Sequence, residues 1–171
     1  CAGALASIAT ACPALIVTKY QHSDKQMREH PNVSIIEAAH PIPDQSSLNA
    51  GKTLLQSVSS LPENSRLLLL ISGGASSVAE HLPNDVSLAQ WQQMTATMLA
   101  AGFNIGQINT KRKQTSLIKD GKLLQAFKGK CVKVLAISDV EGDDISTIGS
   151  GIGDIKNVGS AAELQLIATN A

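Results

Sequence analysis

Aromatic residues are nearly missing from this chain: one Trp, one Tyr and two Phe among 171 residues. A core must therefore be built from Leu, Ile, Val and Ala, and a surface that stacks bases on aromatic platforms is not expected. Charge of one sign is missing too. Fourteen Lys and Arg balance fourteen Asp and Glu, which leaves no net field for nucleic acid or an anionic membrane. Cysteine is scarce: Cys1, Cys12 and Cys131 are odd in number and have no metal-ligand spacing. Reduced thiols in a cytoplasmic protein are the expectation. The histidines, His22, His30, His40 and His81, are scattered without the spacing of a zinc site. No apolar run approaches the ~20 residues of a membrane-spanning helix; the longest, "LLLLI" at 67–71, has strand length. The opening "CAGALASIATACPALIV" has no basic n-region, so a signal peptide is not expected. It also has no initiator Met, and the chain is expected to be a fragment of a longer, two-domain protein.

What is present is a regular alternation. "ALIVTKY" (14–20), "VSIIEAA" (33–39), "RLLLLIS" (66–72) and "CVKVLAIS" (131–138) are apolar runs bounded by turn residues and read as strands. Their near-continuous apolar character predicts burial on both faces, as in parallel sheets. Helical patterns lie between them. Residues 45–60 put Leu48, Leu54, Leu55 and Val58 on one stripe. Ser87 is a predicted N-cap for a helix carrying Leu88, Trp91, Thr95, Met98 and Leu99, with Gly102 as its stop. That stripe is read as core. A shorter helix is predicted over 117–127, and "AAELQLIA" in the tail is read as a helix. The sum is a single domain over 1–171: α/β, doubly wound, with a mostly parallel sheet and helices on both faces, Rossmann-like. The loops "HPIPDQSS" (40–47) and "EHLPNDVS" (80–87) are too short to be domain boundaries.

In open parallel sheets, ligands bind at the carboxyl ends of the strands. Three segments fall there. The first is "ISGGASSVAE", where Ser72, Gly73, Gly74, Ala75, Ser76 and Ser77 follow a strand and lead into a helix start. Glycines let backbone amides point at an anion; an ordinary tight turn has the same composition. The second is "NTKRKQTSLIKDGKL" (109–123), with Lys111, Arg112, Lys113, Lys119 and Lys122 clustered in a neutral chain. It can clamp phosphate or carboxylate, with arginine as the bidentate partner, or it can be a solvated helix face. The third is "SDVEGDDISTIGSG", which crowds Asp139, Glu141, Asp143 and Asp144 at a strand's end. Such carboxylates suit a hard cation such as Mg²⁺; Asp143 or Asp144 could instead cap a short helix from Ile145.

Two motif echoes fail. "GKT" at 51–53 resembles the end of a phosphate-binding Walker A loop, but the glycine required five residues earlier is Ser46. "GSGIG" at 149–153 lacks the glycine spacing of a dinucleotide loop. A phosphate cradle, a basic clamp and a carboxylate metal site remain, and these are the recurring parts of phosphoryl transfer.

"EAAHPIPDQSSLNAG" (37–51), "LLISGGASS" (69–77), "AAGFNIGQINTKRK" (100–113), "SLIKDGKL" (116–123) and "SDVEGDDISTIGSG" (138–151) occur in that order. Together they resemble the glycerate 2-kinase family that carries a C-terminal MOFRL domain, whose members are often labelled hydroxypyruvate reductases. The resemblance covers about residues 1–151. It implies an ATP-dependent enzyme, with Mg²⁺, that phosphorylates the 2-hydroxyl of D-glycerate in a cleft facing the C-terminal domain. By position it implies Ser72, Gly73, Gly74, Ser76, Asn109, Lys113, Ser150 and Gly151 as binding residues. Arg112, Lys119 and Asp139 would be catalytic, and Asp139, Asp143 and Asp144 would hold metal. The partners implied are small molecules and the missing second domain; a homodimer stays open.

This chain also departs from the family pattern. Ala75 replaces a third glycine, Gln114 a histidine, Leu117 an arginine, Asp120 a glycine and Ile152 a proline. The family's "GKAA" lysine would fall at or before Cys1. Two other readings stand beside the kinase. One is a nicotinamide-dependent hydroxypyruvate reductase, weakened by the lack of G-x-G-x-x-G and of a ribose-binding acid. The other is a diverged relative, weakly active, that binds a phosphorylated or carboxylate metabolite.

Overall fold

The computed structural model of the chain describes residues 12–138 and 140–168. The four predicted strands form where the apolar runs lie: β1 Ala14–Lys19, β2 Val33–Ala38, β3 Arg66–Ile71 and β4 Cys131–Ser138. All pairing is parallel, as expected of a Rossmann-like α/β fold. Hydrogen bonding divides the strands into two groups, β1–β2 and a three-stranded sheet in the order β3–β4–β5.

The strand β5, Ala161–Ala168, corrects the reading of "AAELQLIA" as a helix. It pairs with β4 along its whole length, from Cys131↔Ala161 to Ser138↔Ala168. An eight-residue apolar segment fits either period. The free edge of β4 decides, because pairing there satisfies a full row of backbone groups.

The helices are α1 Lys25–Glu29, α2 Gln45–Ser59, α3 Ala75–Val78, α4 Leu88–Ala100, α5 Ile105–Thr115 and α6 Lys122–Gln125. The capping signals act as the chemistry requires. Ser87 caps α4 through its hydroxyl, which accepts from the Gln90 amide, while the Gln90 side chain accepts from the Ser87 amide. Gly102 follows with φ +78°, a left-handed stop. Trp91 and Thr95 are buried, but Leu99 is 58% exposed, so only part of the α4 stripe is core.

The basic stretch from 109 begins on a helix, as one of its two readings expected: Asn104 caps α5, which runs through Thr115. The helix predicted over 117–127 shrinks to Lys122–Gln125. Leu117 sends its amide across to the His81 carbonyl at 2.8 Å, and Asp120 and Gly121 take left-handed backbone (φ +56° and +75°), so no helix can pass through them.

The core lies on one face of the β3–β5 sheet. Val132, Val134 and Ala136 of β4 meet Val58 of α2, Leu123 and Leu124 of α6, and Ile145, Ile148 and Ile152 of the segment after β4. The opposite face is more open: Leu68 and Ile137 are 40% and 43% exposed. The carboxyl ends of β2, β3 and β4 open toward the same side of the molecule as the loops that carry the candidate residues.

Candidate functional site

A cavity of about 490 Å³ lies at the carboxyl ends of the strands. Its wall includes Gly73, Gly74 and Ser76 from the loop after β3, and Asn109 and Arg112 from α5. These are residues the sequence placed in two separate motifs. A wider depression of about 630 Å³ runs along α4, but it is lined by that helix alone and holds no charged group. The cavity between the loops is the chemically equipped one.

Side-chain bonds tie its walls together. Ser76 Oγ and Ser150 Oγ are 2.9 Å apart, and Ser150 Oγ donates to Asn109 Oδ1 at 3.1 Å. Thus the loop after β3, the helix α5 and the turn at 148–151 meet through one chain of polar atoms. Ser150 is fully buried and takes φ +57°, between Gly149 at +59° and Gly151 at +73°. Three successive left-handed residues make this turn sharp. A Cβ on Gly149 would lie 3.1 Å from the Ala75 methyl. Ala75 is packed against that turn.

Behind the cavity lies a buried charge cluster. Arg112 is only 8% exposed, and its Nε has no hydrogen-bond partner. Lys119 is fully enclosed, and its ammonium donates to the carbonyls of Ala79 (2.7 Å) and Ala75 (3.4 Å). It does not line the cavity. The expectation that Lys119 meets reacting atoms therefore has no geometric support: its charged end holds the two ends of the α3 segment. Glu80 completes the cluster. It is fully buried, and its Oε1 accepts from the Ser116 hydroxyl and from the His81 amide.

Burial governs how these groups titrate. Desolvation raises the Glu80 pKa against the opposing pull of Lys119, Ser116 and Arg112. Desolvation lowers the Lys119 pKa to about 8, with Glu80 opposing the shift. The unfolded chain therefore binds more protons at Lys119 between about pH 8 and 10.5, so this group makes folding more favourable as pH rises through that window. Wild type should gain up to about 3 kcal/mol over Lys119→Met between pH 8 and 10.5. Denaturant titrations of both proteins at several pH values measure it; a difference that stays flat with pH would contradict the buried ammonium.

The other predicted residues are placed as follows. Ser72 is exposed beside Gly73, outside the cavity wall. Lys113 lends its backbone carbonyl to Lys122 Nζ at 2.7 Å, which closes the end of α5. Gly151 accepts from the Gly121 amide at 2.7 Å and so joins the two turns. Asp139 lies outside the described residues. Asp144 does not cap a helix at Ile145; both its oxygens accept from Ser146, at 2.9 and 2.7 Å, in a local turn. Those bonds hold its pKa below the usual carboxylate value. Asp143, with φ +52°, points the chain back beside it. Two adjacent carboxylates are hard oxygen donors of the kind Mg²⁺ takes together with phosphate oxygens. Among the described residues, no three His, Cys, Asp or Glu converge into an all-protein metal cage.

Two residues of this region were not singled out from the sequence. Glu80 is a lone acid in a polar, Pro-containing stretch and carries no signal by itself. His40 had one: it sits in "HPIPD" at the end of β2. A cis peptide bond joins it to Pro41, its ring lines the cavity, and a Cβ on Gly74 would lie 3.2 Å from it. Gly74, at φ +81°, is glycine for both reasons. The departures Gln114, Leu117, Asp120 and Ile152 all lie off the cavity wall. Asp120 occupies left-handed backbone that suits the glycine it replaces, and Ile152 joins the core.

The fold and the cavity define a parallel α/β domain with a cationic, glycine-lined cleft at its strand ends. The chain belongs to the family described as Domain of unknown function (DUF4147), whose model matches residues 1–167. A D-glycerate 2-kinase of Thermotoga maritima is 38% identical over 137 residues, which are 80% of this chain and 32% of that protein. A glycerate 2-kinase of Pyrococcus horikoshii is 40% identical over 79% of this chain and 30% of its own length. A protein of Agrobacterium vitis named as a hydroxypyruvate reductase is 39% identical over 80% of this chain and 34% of its own length. The solved glycerate kinase structure from Thermotoga maritima superposes with a TM-score of 0.79 at 31% identity, covering 92% of this chain and 45% of that one. The chain spans about a third of the length of these curated relatives. Among the described residues, no helix is long and apolar enough to cross a membrane.

Proposed function

We propose that this chain is the N-terminal, cleft-bearing domain of an ATP-dependent glycerate 2-kinase, transferring phosphate to the 2-hydroxyl of D-glycerate. The observation that carries the reading is the position of Arg112. A buried arginine with an unused Nε–H shares a cavity wall with Gly73, Gly74 and Ser76. Backbone amides of a glycine loop and a buried guanidinium are the donors that transferring phosphate needs.

In this reading the amides of Gly73 and Gly74 and the Ser76 hydroxyl receive phosphate oxygens. Asn109 and Ser150 hold Ser76 in place. Arg112 meets the charge that develops on the transferring group. Lys119 acts through the loop it clamps. Magnesium, when bound, supplies charge that offsets the phosphates, and Asp139, Asp143 and Asp144 would hold it. The relatives' greater length supports a second domain, of the MOFRL type, closing the cleft from the other side. A cytoplasmic location accompanies the proposal.

The name of the Agrobacterium relative favours a second reading, a nicotinamide-dependent reductase. The loop after β3 argues against it, because "SGGASS" lacks the spaced glycines that seat a dinucleotide pyrophosphate.

The test is thermal unfolding of the full-length protein with Mg-ATP, Mg²⁺ alone, NADPH and D-glycerate in turn. A ligand selective for the folded state adds about 2.7 kcal/mol at a hundredfold excess over its Kd. A rise with Mg-ATP and none with NADPH is expected. A rise with NADPH alone would overturn the kinase in favour of the reductase.

A further inference from the structure

The cavity wall holds one side chain that can act as a base, and it comes from the loop after β2. His40 lines the wall beside Gly73 and Gly74. The edge of its ring that carries Nε2 lies over Gly74, so closely that a Cβ on that glycine would come within 3.2 Å of Nε2 and of Cδ2. Among the described residues, neither ring nitrogen has a hydrogen-bond partner. The loop is held on both sides of the ring. Asp44 Oδ1 accepts from the Ala39 amide at 3.4 Å and from the Ser47 amide at 2.9 Å, and Gln92 Nε2 donates to the Pro43 carbonyl at 2.7 Å. Moving a phosphoryl group onto an alcohol needs a group that takes the alcohol's proton. The other polar side chains of the wall do not serve. Arg112 stays cationic, while Asn109 and the serine and threonine side chains offer an amide and hydroxyls, which are not bases. Asp143 and Asp144 lie off the wall. Among the described residues of the wall, only His40 has a lone pair suited to the task.

We propose that His40 is a catalytic residue, the proton acceptor for the substrate hydroxyl. An imidazole nitrogen takes the proton as the O–H bond breaks, and the alcohol oxygen forms its bond to the transferring phosphorus. The bond from that phosphorus to the bridging oxygen of ATP breaks, and its electron pair stays on the departing nucleoside diphosphate. The imidazolium gives its proton to solvent once the phosphorylated product leaves. The place of the ring fits this role. It lies against the glycine whose amide would meet a phosphate oxygen, and it shares the wall with Arg112, whose charge would meet the same phosphoryl group. Proton acceptor and phosphate donors therefore border one space. The proposal rests on the kinase reading, which supplies the hydroxyl and the phosphoryl group.

The test uses the full-length protein in three forms: wild type, His40→Gln and His40→Ala. His40 is exposed, so neither change empties the core, and both variants should melt near the wild-type temperature. Glutamine keeps a polar side chain in the wall but cannot take a proton. With ATP and D-glycerate, His40→Gln should lower kcat by about 10²-fold, the low end of the effect of a positioned general base, with KM for both substrates unchanged. Free imidazole added to His40→Ala should restore turnover in proportion to its concentration, and should leave Arg112→Ala as slow as before. A raised KM with unchanged kcat in His40→Gln would make His40 a binding contact and overturn the proposal. Failure of imidazole to restore any turnover to His40→Ala would overturn it as well. If wild type does not phosphorylate D-glycerate, the kinase reading falls and this proposal falls with it. If wild type does so and His40→Gln matches its rate, the proposal alone is overturned.

Discussion

Arg112→Ala should lower kcat/KM of the full-length protein by about 10²–10³-fold, the effect of removing one preorganised donor from a developing oxyanion. Three observations set the size. Arg112 is nearly enclosed, so its charge acts in a medium that screens it less than water does. It stands in the cavity wall with Gly73, Gly74 and Ser76, where an anion would lie. Its burial lowers its pKa, yet an arginine so perturbed stays cationic at any working pH. The loss should fall on kcat more than on KM if the guanidinium meets charge that develops only during transfer. Arg112→Lys should recover part of it, because an ammonium restores the charge without the fork. Steady-state kinetics with ATP and D-glycerate measure both variants. Turnover at the wild-type rate in Arg112→Ala would remove this residue from the chemistry.

Gly51→Ala should destabilise the protein by about 3 kcal/mol, although the same change in a solvated helix interior stabilises by about 1 kcal/mol. Gly51 lies inside α2, on the side that faces the Glu80 turn. A Cβ there would sit 2.2 Å from the Glu80 carbonyl oxygen, 2.4 Å from its carbon and 2.9 Å from the His81 nitrogen. All three are backbone atoms and cannot swing aside. The two segments are also stitched together, since the Glu80 amide donates to the Ser47 carbonyl at 3.0 Å. A methyl group must push the helix off this turn and break that bond. For a chain of this size the melting temperature should fall by roughly 6–12 °C. Calorimetry on Gly51→Ala checks the first effect; an unchanged or raised melting temperature would contradict the close approach. The "GKT" echo at 51–53 is thus explained: the glycine is there for helix-to-turn packing.

Much of the architecture was readable in one dimension. The runs at 14, 33, 66 and 131 are strands as read, although the expected burial on both faces fails where Leu68 and Ile137 stay exposed, and Ser87, Gln90 and Gly102 mark a helix by local hydrogen bonds alone. The turn after β3 was readable as a turn, because Gly73 and Gly74 at a strand's end permit the left-handed backbone that Gly74 takes. Where the reading failed, the deciding partner was distant in sequence. The segment 161–168 is a strand because β4 offers it an edge. Residues 117–121 are not helical because Leu117 bonds to His81 and the next turn bonds to Ser150 and Gly151.

The candidate site divides along the same line. Composition and spacing by themselves determined which side chains were available: a glycine loop, a cluster of bases containing Arg112, and a crowd of aspartates at the end of a strand. Local sequence can do this, because cradle, clamp and metal ligand are properties of residue types and short spacings. Only the tertiary structure decided what each one does. It set Arg112 and Asn109 across from Gly74, enclosed Lys119 so that its charge supports the loop, and paired the unremarkable Glu80 with Ser116, 36 residues away. Burial decides whether a charged side chain binds a ligand or holds the protein together, and burial is set by neighbours that the chain supplies from elsewhere.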